Sequence, residues 1–121
     1  MKITPIIKCR NMQKSLEFYT RVLGFIPKYP EAHPPVIDIV NGESEIQLST
    51  LDGDGEFGTA VNVLVDDVDA VYREIIARGL VTTDREDSPV HRRPVRQTWG
   101  MREFYVDDPD GNTIRFRQPI S

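Results

Sequence analysis

The sequence predicts an α+β fold: two βαβββ modules in tandem, with helices packed on one face of their sheets. Three observations carry the prediction. An extended apolar run, a capped amphipathic helix and three short strands occur in the first half and recur in the same order in the second. Both helical stretches stop at a glycine, Gly24 and Gly79. Each module closes on two strands joined by turn residues, Asn41-Gly42 in one and Asp108-Pro109-Asp110-Gly111 in the other.

The first module, about residues 1–50, opens with an apolar run, Ile3 to Cys9. Asn11 follows, a residue whose side-chain oxygen can accept an orphan amide of a first helical turn. Met12, Leu16, Tyr19 and Leu23 then recur at helical spacing, predicting a helix over Met12–Leu23. Strands are predicted at Phe25–Tyr29, Val36–Val40 and Glu45–Ser49. In the second module, about residues 59–121, a strand at Thr59–Val65 leads to Asp67 as N-cap. A helix over Val68–Arg78 follows, with Val68, Val71, Tyr72, Ile75 and Ile76 on its apolar side. Strands at Leu80–Thr83, Arg102–Val106 and Thr113–Arg117 complete the repeat. Between the modules, the glycine- and aspartate-rich Leu51–Gly58 reads as a linker.

Bulk properties narrow the function classes. A chain of 121 residues is one domain's worth, able to form a core without a metal or disulfide staple. Its net charge of −4 argues against nucleic acid as a partner. No apolar run has the length of a membrane span, and MKITPIIKCR lacks a signal peptide's apolar core. Cys9 is the only cysteine, so the expected compartment is the cytoplasm.

Strand alternation separates an apolar face from a polar one. Ile114 and Phe116 oppose Thr113, Arg115 and Arg117; Phe104 and Val106 oppose Glu103 and Tyr105. With the helices packed on the apolar side, the other face carries Thr4, Lys8, Asp38, Gln47, Asn62, Glu103, Tyr105 and Arg115. That face is either a solvated sheet surface or, if the sheet curves, the lining of a small-molecule cleft.

Several stretches resemble the vicinal oxygen chelate superfamily, which includes glyoxalase I, extradiol dioxygenases and the bleomycin-resistance proteins. They are Ser15-Leu16-Glu17-Phe18-Tyr19, Val22-Leu23-Gly24-Phe25, Val65-Asp66-Asp67-Val68-Asp69-Ala70 and the run from Glu103 to Asn112. Within the superfamily, Arg96-Gln97-Thr98-Trp99-Gly100-Met101-Arg102-Glu103-Phe104 resembles the Gln-Pro-Trp-Gly-Arg-Glu-Phe run of bleomycin-resistance proteins. The resemblance implies paired modules around a cup and, usually, a homodimer. It leaves open whether the cup forms within one chain or between two.

Enzymes of this superfamily hold a divalent metal at four positions, and the resemblance places these at Thr4, Gln47, Ala60 and Arg115. Threonine is a poor ligand, alanine offers no donor, and arginine brings a fixed positive charge. No metal and no other cofactor are therefore expected. His33 and His91 fall in predicted loops and are expected to be solvated. Arg115 either pairs with Glu103 or anchors an anionic or amide-bearing ligand. Trp99, the only tryptophan, is either a rim aromatic or a ligand-stacking one.

The function these residues predict is metal-free binding of a small molecule, with sequestration of a bleomycin-like antibiotic as one form of it. The expected ligand contacts are Gln47, Asn62, Leu64, Trp99, Glu103, Tyr105 and Arg115. Asn62 and Leu64 stand where bleomycin binders carry stacking aromatics, whereas the net negative charge suits a cationic drug. The alternative is a divergent lyase or dioxygenase, metal-dependent or with Glu103 and Tyr105 as catalytic acid and base. A third reading is a regulatory or immunity module. The connection Asp84–Thr98, with its basic His91-Arg92-Arg93 and Arg96, is expected to be a solvated loop.

Overall fold

A computed structural model describes residues 1–81 and 87–120 of the chain. The first module runs β1 (Ile6–Lys8), α1 (Met12–Glu17), β2 (Ile26–Pro27), β3 (Val36–Asn41) and β4 (Ser44–Ser49). The second runs β5 (Ala60–Leu64), α2 (Val68–Ala77), β6 (Val95–Arg96), β7 (Met101–Asp107) and β8 (Thr113–Pro119). Each module builds its own four-stranded mixed sheet, ordered β1-β4-β3-β2 and β5-β8-β7-β6. In both, the first strand lies parallel to the last and the remaining pairs are antiparallel. The repeat read from the sequence is thus a repeat of topology.

Local chemistry explains the helix ends. The side chains of Asn11 and Asp67 accept from the amides of Lys14 and Ala70, at 3.1 and 3.0 Å. Regular α-helix in the first module stops earlier than the spacing predicts. From Phe18 to Val22 it widens into a π-helical turn, closed by the Leu23 amide on the Phe18 carbonyl. The Thr20 hydroxyl donates back to the Leu16 carbonyl at 2.7 Å, inside the same turn. Gly24 then takes φ +79°, and a Cβ there would sit 3.0 Å from the Arg78 guanidinium carbon. The positive φ favours glycine, and a Cβ would also push the Arg78 head group aside.

The predicted strand Leu80–Thr83 is missing from the two residues of it that the structure describes. Leu80 and Val81 lie outside any strand, and positions 82–83 are outside the described residues. The amides of Gly79 and Leu80 instead bond the carbonyls of Ile76 and Ile75, a Schellman ending that turns Leu80 back onto the core. The outer strand is Val95–Arg96, paired with β7 through Val95–Glu103 and Arg96–Arg102. Two residues are too short to show an alternation, which is why the sequence did not reveal it.

The apolar faces of both sheets meet the helices in one core. Ile7, Ile37, Ile39, Ile46 and Leu48 come from the first sheet, and Phe104, Val106, Ile114 and Phe116 from the second. Phe104 stacks on Phe116 at 5.0 Å between ring centres, and Tyr72 of α2 meets Phe104 edge-on at 5.2 Å. Arg102 holds α2 from the sheet with two bonds of 2.9 Å to Asp69, and the Gln118 side chain accepts from the Val68 amide.

A polar clasp joins the modules. Asp108 and Asn112, both buried, begin and end the β7–β8 turn. Asp108 Oδ1 accepts from the amides of Asp110 and Asn112, while Oδ2 accepts from the Tyr19 hydroxyl at 2.8 Å and from Asn112 Nδ2 at 3.0 Å. Asn112 Nδ2 also donates to the Lys8 carbonyl, and its Oδ1 accepts from the amides of Gly58 and Thr59. Beside it, Asp110 bonds the Arg10 backbone amide and guanidinium. Burial of the Tyr19 hydroxyl, then the Asp108 charge, raise its pKa far above the ordinary value, so it remains a donor.

The linker is also held. Ser49 Oγ donates to Asp54 at 2.8 Å, Lys8 Nζ donates to the Asp52 carbonyl at 2.9 Å, and the Arg10 guanidinium carbon lies 3.7 Å from the Phe57 ring centre.

Two outcomes follow for stability. Tyr19→Phe leaves a buried carboxylate oxygen one donor short and should cost about 1–3 kcal/mol in urea unfolding. The Asp69 carboxyl is held below its ordinary value, chiefly by its hydrogen bonds to Arg102. Its stabilising contribution is therefore complete above the unfolded carboxyl pKa and is lost as pH falls through the lower folded value. Because the pair is partly exposed, Arg102→Gln should cost only about 0.5–1 kcal/mol at neutral pH, with the gap from the parent closing in acid titrations.

Candidate functional site

The face of the second sheet turned away from α2 gathers most of the candidate residues. Register sets Glu103 across from Arg117, Tyr105 across from Arg115 and Asp107 across from Thr113. On the other flank of β8, Arg115 is beside Asn62 and Arg117 beside Leu64.

Glu103 is only 2% exposed, so its charge must be met within the protein. Trp99 Nε1 donates to Oε1 at 2.8 Å, the Tyr105 hydroxyl reaches the same oxygen at 3.4 Å, and Arg117 Nε lies 3.3 Å from Oε2. Of the two readings the sequence offers for Arg115, the pair with Glu103 is not among the ion pairs of the described residues. Arg117 is the direct cross-strand neighbour of Glu103 and Arg115 is diagonal, so the nearer cation takes the carboxylate.

Among the described residues, Arg115 has an aromatic neighbour and no carboxylate, whereas Arg117, whose Nε likewise makes no hydrogen bond, lies against Glu103. The Arg115 guanidinium carbon is 5.2 Å from the centre of the Tyr105 ring, and its buried Nε has no hydrogen-bond partner among the described residues. The Tyr105 hydroxyl is pushed above its ordinary pKa, first by burial and then by the Glu103 charge, with Arg115 offsetting part of the rise. At neutral pH Tyr105 is therefore a donor.

His91 is a residue the sequence reading missed. It was expected to be solvated, yet it is buried, in a single 3₁₀ turn, Pro89–His91. Its ring meets Tyr105 edge-on at 5.4 Å, Nε2 lies 3.4 Å from Asp107 Oδ1, and Nδ1 is 2.8 Å from Ser88 Oγ. The Ser88-Pro89 pair is the signal that could have found it, since proline is favoured at the first position of such a turn.

The structure brings Trp99, Glu103, Tyr105 and Arg115 into one chain of contacts, with Asn62 and Leu64 on the adjacent strand. Gln47 belongs to the first sheet, where its amide nitrogen donates to Asp38 at 3.1 Å. Two cavities lie where the modules meet. One of about 540 Å³ is lined by Phe25, Val63, Leu64, Glu74, Ile75 and Arg78, among others. Another of about 300 Å³ adjoins Pro5, Glu45, Asn62 and Leu64. Trp99, Glu103, Tyr105 and Arg115 line neither; they sit on an open face flanked by exposed apolar surface, with Trp99 57% and Leu64 67% accessible.

The chain matches the family model of the glyoxalase/bleomycin resistance protein/dioxygenase superfamily over residues 4–116. It belongs to that superfamily. Among solved structures similar to this superfamily member is a bleomycin-binding protein complexed with bleomycin. That protein is 23% identical, with a TM-score of 0.78 and 98% of each chain covered. The bleomycin-binding protein of Streptomyces verticillus complexed with copper(II)-bleomycin is 23% identical, with a TM-score of 0.73, over 96% of this chain and 93% of that one. TnmS3, an antibiotic binding protein from Streptomyces sp. CB03234, is 20% identical, with a TM-score of 0.69 and coverage of 98% and 97%. At these identities the likeness is one of fold. No curated protein matches the sequence at a significant level.

The superfamily's metal positions do not fit a divalent ion in this member. Ala60, the first residue of β5, has no donor atom; Arg115 repels a cation; and Gln47, whose amide nitrogen donates to Asp38, is left to offer a single carbonyl oxygen. Among the described residues no group of three or more His, Cys, Asp or Glu side chains could hold a metal. Nor is any described helix long and apolar enough to cross a membrane.

The two arginines of β8 should separate in a stability assay. Arg117→Gln strips the buried Glu103 carboxylate of its cation and should cost about 3 kcal/mol. Arg115→Gln should stay within about 1 kcal/mol of the parent, since no carboxylate depends on it. Chemical denaturation of both variants at neutral pH measures the difference.

Proposed function

We propose that this protein holds a small molecule against the open face of the second sheet, without a resident metal, and sequesters it without transforming it. The observation that carries this reading is the donor set: Thr4, Gln47, Ala60 and Arg115 stand where a chelating member would place its ligands. What the face offers instead suits binding. Trp99 is fixed by its bond to Glu103 with much of its ring still exposed, Tyr105 donates a hydroxyl, and Arg115 presents an uncommitted guanidinium. The ligand class we propose is an antibiotic of the bleomycin type, as the names of the structural relatives suggest. An open face on one chain gives a ligand a single wall, so we further propose that a homodimer supplies the second.

Titration calorimetry with metal-free and copper-loaded bleomycin tests the antibiotic assignment directly. Saturable heat is expected, with thermal stabilisation on the order of 10 °C at a hundredfold excess over Kd. Absence of both at tens of micromolar ligand would remove bleomycin as the ligand. Elemental analysis of the purified protein should find substoichiometric transition metal; stoichiometric nickel, zinc, iron or manganese would overturn the metal-free reading.

A further inference from the structure

Among the described residues, Arg115 is the cation of the candidate face that no carboxylate meets. Glu103 is satisfied by Arg117, Trp99 and Tyr105. Asp107 accepts from the Thr113 hydroxyl at 2.8 Å and lies against His91. Neither carboxylate reaches Arg115, whose buried Nε lacks an acceptor among the described residues. A guanidinium held beside a tyrosine ring and missing an acceptor is a preorganised donor fork. Burying such a donor without a partner is costly, and a ligand acceptor would relieve that cost.

Resting on the reading that this face binds a small molecule, and replacing the cationic antibiotic by an anionic ligand, we propose that the ligand carries a carboxylate on a flat apolar body, with the carboxylate on Arg115 and the body against Trp99. A dianion such as phosphate calls for more than one free cation, and the neighbouring Arg117 is already neutralised by Glu103. A monoanionic, planar carboxylate matches a single planar guanidinium. Trp99 offers the apolar surface at the other end of the contact chain running through Glu103 and Tyr105. The overall charge of −4 would favour a cation, but charges far from the site are screened over about 8–10 Å at moderate salt. The Arg115 charge lies at the contact and is not.

The test compares 2-naphthoate with 2-naphthylmethylamine by titration calorimetry on the full chain, in the parent, Arg115→Gln and Arg115→Lys. The parent should bind the carboxylate at least about tenfold more tightly than the amine. Arg115→Gln should abolish that preference, and Arg115→Lys should retain part of it, having the charge without the fork. Equal or tighter binding of the amine, or a carboxylate affinity unchanged in Arg115→Gln, would overturn the carboxylate assignment and leave the binding reading standing. No saturable heat from either probe in the folded parent would likewise overturn the carboxylate assignment, while the binding reading itself falls only with the bleomycin titration.

Discussion

The polar joint between the two modules is centred on the Asp108 carboxylate. Four donors converge on it, and three come from its own turn: the amides of Asp110 and Asn112 and the Asn112 side chain. The fourth, the Tyr19 hydroxyl, comes from the other module. Hydrophobic burial drives the halves together without direction. The carboxylate and Asn112 add direction, since their bonds form only when β8, β1 and the linker are in register. Turn residues that look like simple punctuation are here the joint between two halves.

On the second sheet, one register choice has a long reach. Because Arg117 is directly opposite Glu103, the carboxylate is neutralised there, and Trp99 can donate to it while staying open to solvent. The same choice leaves Arg115 without an anion. A buried acid thus serves as scaffold for the aromatic side chain beside it, and the free cation lies one pair further along. The order of charges on two strands decides which groups are structural and which are available.

Much of this was legible in the residues. Asn11, Asp67, Gly24 and Gly79 marked helix ends by backbone chemistry that hardly depends on the rest of the fold. The alternation in β7 and β8 assigned Glu103, Tyr105 and Arg115 to one face correctly. What was illegible depends on tertiary context. Leu80 looked like the start of a strand, yet its amide was needed to end α2. A two-residue strand at Val95–Arg96 has no period to detect. His91 looked solvated because nothing in its own segment showed that Tyr105 and Asp107 would lie against it. The partner of Glu103 turned on whether the direct or the diagonal arginine was nearer, a matter of register and not of pattern.

The bonds along the linker bear on how copies of the chain can associate. Residues 50–57 are tied at Asp52, Asp54 and Phe57, and Asn112 pins the two amides just beyond. A leash fastened at this many points has little slack, and eight residues at full stretch span only about 27 Å. Exchange of modules between copies, an inexpensive route to dimers where a hinge is loose, is shut off here until the clasp itself opens. A dimer that forms without opening these bonds adds surface to surface, each copy keeping both of its own halves.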